Sequence, residues 1–353
     1  MTRLWPAGEA VRTWGEAATP AGFASHQTHR SKQDKIAVDL IDAEVDVMLG
    51  GGLAWWIPQE ANDPDSETYR RLAKRTGETI EIRSKRRDSR DLFEEAGAGG
   101  LALCFNRTQL EQASGDRLLG LFARDILMNG IRETRTKEDP GRTIPTLREM
   151  TEKALHVLSR NPNGFFLVVE AGLIDWAGHD HDTGTLLHEM LKFDETVALV
   201  HEWAQGRKDT LVLVTADHGL IDTGPGDRID LANHPELEAC LSLPLCGEPR
   251  AAFCYLRPRR VQDFQDYCQH ILDGHALLKP SQELIHQGLF GQGEPHPGLE
   301  DRVGDYTLLL TGRSVIRDQL PSEKGTVQIG VHGGLSATEL QVPLCVIAPP
   351  MKK

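Results

Sequence analysis

An α/β fold, a three-layer α/β/α sandwich around a mostly parallel central sheet, is predicted by three observations. Short apolar runs recur near residues 45–48, 101–105, 165–169, 210–215, 306–310 and 342–348, each ending at turn or polar residues. Stretches with apolar residues at helical spacing separate them, the alternation expected of strands and helices in layers. Two of the runs, at 165–169 and 211–214, are apolar throughout, as strands covered on both faces are, and each is followed within ten residues by at least one carboxylate and a histidine. Parallel sheets collect their chemistry just beyond the carboxyl ends of such strands.

The elements follow in order. Residues 45–48 read as a strand. Residues 60–95 and 129–143 are charged and poor in apolar periodicity, and read as surface excursions. Thr146 to Ser159 is a helix, with Leu147, Met150, Ala154, Leu155 and Leu158 on one face and Asn161-Pro-Asn-Gly164 as its stop. Leu186 to Trp203 is a second helix, continuing from His179. The whole chain, 1–353, reads as one domain carrying a cap-like insertion at about 220–325, marked by Pro and Gly clusters at 224–226, 244–249 and 290–298. Within it, Ala251 to Leu256 is expected to form a strand outside the main sheet.

Composition narrows the function. With 353 residues and 39% hydrophobic content the chain can build a sizeable core, and a formal net charge of -13 argues against nucleic acid as a partner. No apolar run approaches the roughly 18 residues of a membrane span, so no membrane partner is indicated, and the first thirty residues hold no signal-peptide core. The six cysteines show no CxxC spacing; Cys104 and Cys345 lie in strand-like runs and read as small core residues, while Cys240 with Cys246, or Cys254 with Cys268, are the pairings an oxidising compartment would allow. Gly97-Ala-Gly-Gly100 lacks the Gly-Lys-Ser/Thr ending of a P-loop, and His188-Glu189 and His201-Glu202 lack the second histidine of a zinc-protease motif.

The chemistry concentrates in three segments. In Phe165-Phe-Leu-Val-Val-Glu170-Ala-Gly-Leu-Ile-Asp175-Trp-Ala-Gly-His179, a helical turn after Gly172 puts Asp175 and His179 on one face, where a carboxylate and an imidazole grip a single ion of zinc type. Glu170, an oxygen ligand, suits a harder ion such as magnesium. Thr210-Leu-Val-Leu-Val-Thr-Ala-Asp217-His218-Gly219 repeats the design, with Gly219 permitting the turn that lets adjacent Asp217 and His218 face one ion. His332, in Val331-His-Gly-Gly334 before the strand-like Val342 to Pro349, is the remaining imidazole. An ordinary helix cap, a loop cap and an exposed histidine are the competing readings of the three segments taken singly.

Together these segments resemble the alkaline phosphatase superfamily, and the alkaline phosphatases most closely. Glu170 to His179 and Thr215-Ala-Asp-His218 carry the specific likeness; Ala18-Thr-Pro-Ala21 with Ser25-His-Gln-Thr-His-Arg30, and Asp46 to Gly52, extend it. The resemblance implies a metal-dependent phosphate monoester hydrolase using two zinc ions and one magnesium ion. Asp175, His179 and His332 would hold the first zinc, Asp217 and His218 part of the second, and Glu170 and Thr19 part of the magnesium site. Arg30 would grip the phosphate through two N–H donors. A small phosphorylated substrate, a homodimer and a periplasmic or extracellular location for a full-length relative are further family habits.

The likeness also has gaps. No serine precedes Thr19, nothing there reads as a strand ending in Asp, and Ala17 stands where the family tends to place His or Asp. Gly8 to Ala18 resembles the start of a helix joined directly to the Thr-Pro segment, as if a strand were lost, so the N-terminal segment with the nucleophilic serine and the first metal aspartate is expected to be missing and the chain to turn over little or nothing by itself. Ala216 to Gly219 and Val331 to Leu335 followed by Val342-Pro-Leu also resemble the phosphodiesterase and phosphoglycerate-mutase branches. A diester or nucleotide pyrophosphatase activity, and a catalytically dead metal-binding remnant, are the alternatives.

Overall fold

The computed structural model describes residues 8–11, 18–320 and 328–348. Two compact units divide the chain, one from the residues up to Trp176 together with Thr183–Thr210, the other from Ala177–Asp182 and Leu211–Ala348.

The first unit is organised by a five-stranded sheet. Its strands are β1 (Gly8–Val11), β2 (Val47–Gly50), β3 (Ala102–Cys104), β4 (Leu118–Leu121) and β5 (Phe166–Val169), in the spatial order β3-β4-β2-β1-β5, and every neighbouring pair is parallel. Side chains alternate between two cores. Val47, Leu49 and Leu118 pack with Leu147, Met150, Ala154, Val157 and Leu158, whereas Met48, Leu119 and Leu121 pack with Ile36, Leu40, Leu72 and Phe93. Both faces being covered is why these strands are apolar at consecutive positions. The helix predicted from Thr146 runs Leu147–Leu158. Thr146 accepts a hydrogen bond from the Glu149 N–H and Glu149 accepts one from the Thr146 N–H, closing the helix start reciprocally.

Several expectations are corrected. Gly8–Val11 is a strand, not a helix start, and it pairs on both sides, Val11 lying opposite Leu49 and Val169. Pairing with two neighbours outweighs the local preference of four residues. The readings that fall on residues 1–7 and 12–17, including Ala17, lie outside the described residues. Residues 60–95 are not mere surface: helices Glu67–Thr76 and Leu92–Ala98 send Leu72, Leu92 and Phe93 fully into the core. A few apolar anchors among many charges leave little periodicity to read. The helix Thr183–Ala204 does not continue from His179; the Leu173–His179 helix ends first, and His181 takes a left-handed φ of 54°.

The apolar run at 165–169 is also less buried than its composition implies. β5 is the edge strand of its sheet, its four residues are half-buried or exposed, and Phe166 is 40% accessible. The same holds for the run at 210–215. There β6 (Val212–Thr215) alternates half-buried and exposed, with Leu211 and Leu213 exposed, because it belongs to a two-stranded ribbon rather than a wide sheet.

The second unit contains β6 and the strands β7 (Ile221–Asp222), β8 (Arg228–Asp230), β9 (Cys246–Glu248), β10 (Ala251–Cys254), β11 (Ala276–Pro280), β12 (Tyr306–Leu310), β13 (Val315–Arg317), β14 (Gly330–Val331) and β15 (Leu344–Ile347). An antiparallel sheet in the order β11-β12-β10-β9 forms its centre, and β10 is the expected strand outside the parallel sheet. Ala252, Cys254, Leu308 and Leu310 of that sheet pack with Phe264 and Cys268 of the helix Val261–Ile271. Three two-stranded ribbons complete it: β8 with β13, β7 with β14, and β6 with β15. The run at 306–310 is therefore antiparallel, as is 342–348.

All six cysteines are free thiols, so neither suggested pairing forms. Cys104 is buried as expected and burial pushes its thiol up to about 11, but Cys345 is exposed on its ribbon.

Candidate metal centre

The helix Leu173–His179 forms where the sequence predicts a turn after Gly172, and its buried Leu173 and Ala177 anchor it. Asp175 and His179 stand one turn apart on it. β14 is held at the end of this helix, with the Ile329 N–H donating to the His179 carbonyl at 3.1 Å. The approach requires glycine, since a Cβ on Gly330 would lie 2.2 Å from the Gly178 carbonyl oxygen. Two residues further on, this brings in His332.

The result is a convergence of donors. Asp175, His179 and His332 each offer one ligand atom, and all three atoms lie within 4.8 Å of one another. The imidazole Nδ1 of His179 sits 2.7 Å from the Gly330 carbonyl oxygen, an acceptor, so Nδ1 carries the proton and Nε2 is left as the ligand atom. A carboxylate and two imidazoles, one of them oriented through its second nitrogen by a backbone carbonyl, is a donor set of zinc type. The residues present therefore fit a divalent cation.

Asp217 and His218 lie at the turn after β6. The His218 ring stacks on that of His332 at 3.6 Å between centroids and 10° between planes. The exposed Asp217 turns its carboxylate toward its own neighbour, accepting from the His218 N–H at 3.1 Å, and the two residues stand outside the three-donor cluster. Close packing fixes this turn too. The Gly219 N–H donates to the Glu339 carbonyl at 2.9 Å, and a Cβ on Gly219 would lie 2.0 Å from the Thr338 carbonyl oxygen.

The remaining candidates belong to the first unit. Glu170 directly follows β5 and is half-buried. Thr19 is exposed in the short helix Ala18–Gly22, and Arg30 is exposed in the loop beyond it. Ser25 is buried in that same loop, where its Oγ donates to Asp39 at 2.6 Å.

Sequence reasoning passes over two residues that shape the centre. Arg250 and Glu339 are almost wholly buried, at 0% and 2% exposure, and form a two-pronged pair with N···O distances of 3.1 and 2.8 Å. The Glu339 carboxylate also accepts from the Gly334 N–H at 2.8 Å and from the Ser336 hydroxyl at 2.6 Å. Burial pushes that carboxyl up, but the hydrogen bonds from Arg250, Ser336 and Gly334 outweigh it and hold the group at about 2. No motif marks a pair separated by 89 positions.

A carboxylate and two imidazoles gathered by an α/β chain from segments far apart in sequence define the class: a protein with a candidate divalent-metal centre. More narrowly, the chain belongs to the alkaline phosphatase family, whose family model matches residues 8–234. The match stops short of His332, which the folded chain itself brings to the cluster. Among curated relatives, Alkaline phosphatase 3 of Bacillus subtilis is 32% identical over 57% of this chain and 37% of its own length. The repressible alkaline phosphatase of Saccharomyces cerevisiae is 32% identical over 60% of this chain and 37% of its own length. Thus the chain spans little more than a third of the length of these relatives. Among solved structures, that of Thermus thermophilus alkaline phosphatase aligns with a TM-score of 0.49 and 28% identity, covering 62% of this chain and 42% of the other.

Proposed function

We propose that the chain is a metal-dependent phosphate monoester hydrolase of alkaline phosphatase type. The observation that carries this reading is the convergence of Asp175, His179 and His332 in a chain of that family. In it, Asp175, His179 and His332 hold one zinc ion, Asp217 and His218 contribute to a second, Glu170 and Thr19 contribute to a magnesium site, and Arg30 grips the phosphate. Bound metal supplies Lewis-acid stabilisation of charge on the phosphoryl oxygens and lowers the pKa of an attacking water or hydroxyl. The chain's own residues orient and hold: the Gly330 carbonyl fixes the tautomer of His179, and the guanidinium of Arg30 offers paired donors to two phosphate oxygens.

The buried Ser25 hydroxyl donates to the Asp39 carboxylate, a structural engagement. Turnover by this chain alone is expected to lie near the buffer rate, since the Ser25 hydroxyl is committed to Asp39 rather than offered as a nucleophile, and lack of a nucleophile costs orders of magnitude. The test is an assay of the purified chain with zinc and magnesium on a nitrophenyl phosphate monoester and on the corresponding diester. Metal bound at the cluster, with monoester turnover no more than marginally above buffer and any such excess abolished by chelation, supports the reading, whereas monoester turnover well above buffer contradicts the expected inactivity. Preferential turnover of the diester, or metal binding that ignores Asp175, His179 and His332, contradicts it.

A further inference from the structure

We infer that Arg250 and Glu339 form a clamp that positions the imidazoles of His332 and His218, an inference resting on the metal-binding reading of His332. The Glu339 side chain and backbone reach in two directions. Its carboxylate takes the Gly334 N–H and the Ser336 hydroxyl, which fixes the loop two residues beyond His332. Its carbonyl takes the Gly219 N–H, which fixes the residue directly after His218. One residue thus ties together both segments whose rings stack at 3.6 Å.

Arg250 makes the arrangement rigid. Its guanidinium forks onto both Glu339 oxygens, and its third nitrogen donates to the Ser314 carbonyl at 2.5 Å, so its rotamer is locked from two sides. Glycines bring the backbones close enough for this to work. A Cβ on Gly334 would lie 2.8 Å from both Glu339 carboxylate oxygens, and Gly333 adopts a left-handed φ of 99° between His332 and that contact. Neither Arg250 nor Glu339 belongs to the three-donor cluster, so their contribution acts through the ligands. Groups that orient metal ligands in this way are typically worth about 10–100-fold in metal affinity.

The test titrates the full chain with cobalt(II), whose visible bands report ligand number and geometry, and repeats the titration with zinc in competition. Circular dichroism of the metal-free proteins, recorded alongside, gives the folded fraction. His332→Ala serves as the control for the site. Glu339→Gln keeps the side chain's shape but sets an amide against the Gly334 and Arg250 donors, and is expected to weaken cobalt binding about 10–100-fold and to alter the bands at saturation. Ser336→Ala removes one hydrogen bond to the clamp and is expected to shift affinity in the same direction by a few-fold. It remains informative should Glu339→Gln fold poorly. Wild-type affinity and bands in both variants overturn the clamp, as does a loss that merely follows the unfolded fraction with the bands unchanged. Cobalt binding by the wild type that His332→Ala leaves intact overturns the metal-binding reading itself, and the clamp falls with it.

Discussion

The two units solve the problem of holding residues in place by different means. In the first, strands β2 and β4 are apolar on both faces and locked between two hydrophobic cores, so that position is set by shape and burial. In the second, the turns carrying His218 and His332 have little apolar material of their own. They are fixed instead by a buried ion pair, by hydrogen bonds to Glu339, and by glycines that admit backbone at distances no Cβ tolerates. A metal centre requires polar side chains aimed inward, and a polar clamp supplies rigidity where a greasy one would exclude the ligands.

The largest way to break this contrast is Arg250→Met, which leaves the Glu339 carboxylate buried without its counter-charge at a cost of about 3–5 kcal/mol. Hydrogen exchange should accelerate in residues 217–220 and 328–341 while β2 and β4 stay protected; equal loosening of both would erase the distinction. Met150→Ala, in the core beneath β2 and β4, is expected to cost about 3 kcal/mol by opening a cavity, with exchange rising first in those strands.

A third test concerns acid. Burial pushes the Glu149 carboxyl up, but hydrogen bonds from Arg142 and the Thr146 N–H, with the Arg142 and Arg107 charges, hold it at about 2 against an ordinary 4.5. A depressed folded value means that its stabilisation is complete above pH 4.5 and is lost as pH falls toward about 2. Glu149→Gln should therefore destabilise the protein at neutral pH by about 2 kcal/mol, after allowance for partial exposure, and flatten the decline of its melting temperature in acid. At the small end, Lys137→Ala removes an exposed pair with Glu195 and should change stability by no more than about 0.5 kcal/mol.

What the sequence discloses follows the same division. Apolar patterning identifies β2 and the helix Leu147–Leu158, because burial of one face or two leaves a repeating trace. The four-residue spacing of Asp175 and His179 shares one face only if the segment is helical, and the helix Leu173–His179 meets that condition. The family resemblance misleads at Gly8–Val11, where pairing on two sides makes a strand of residues with no strand-like pattern. Apolar composition overstates the burial of 210–215, since it does not report how many strands lie alongside. The Arg250–Glu339 pair is invisible for a different reason: two charged residues 89 positions apart look like surface until the fold buries them together.

Zinc titration of the wild-type chain beside Asp175→Ala, His179→Ala and His332→Ala, read by competition with a chromophoric chelator, tests the central claim most directly. Loss of one ligand from a three-residue donor set should lower affinity by about 100-fold or more in each variant. Any one of the three binding zinc as tightly as the wild type would show that these side chains do not share an ion.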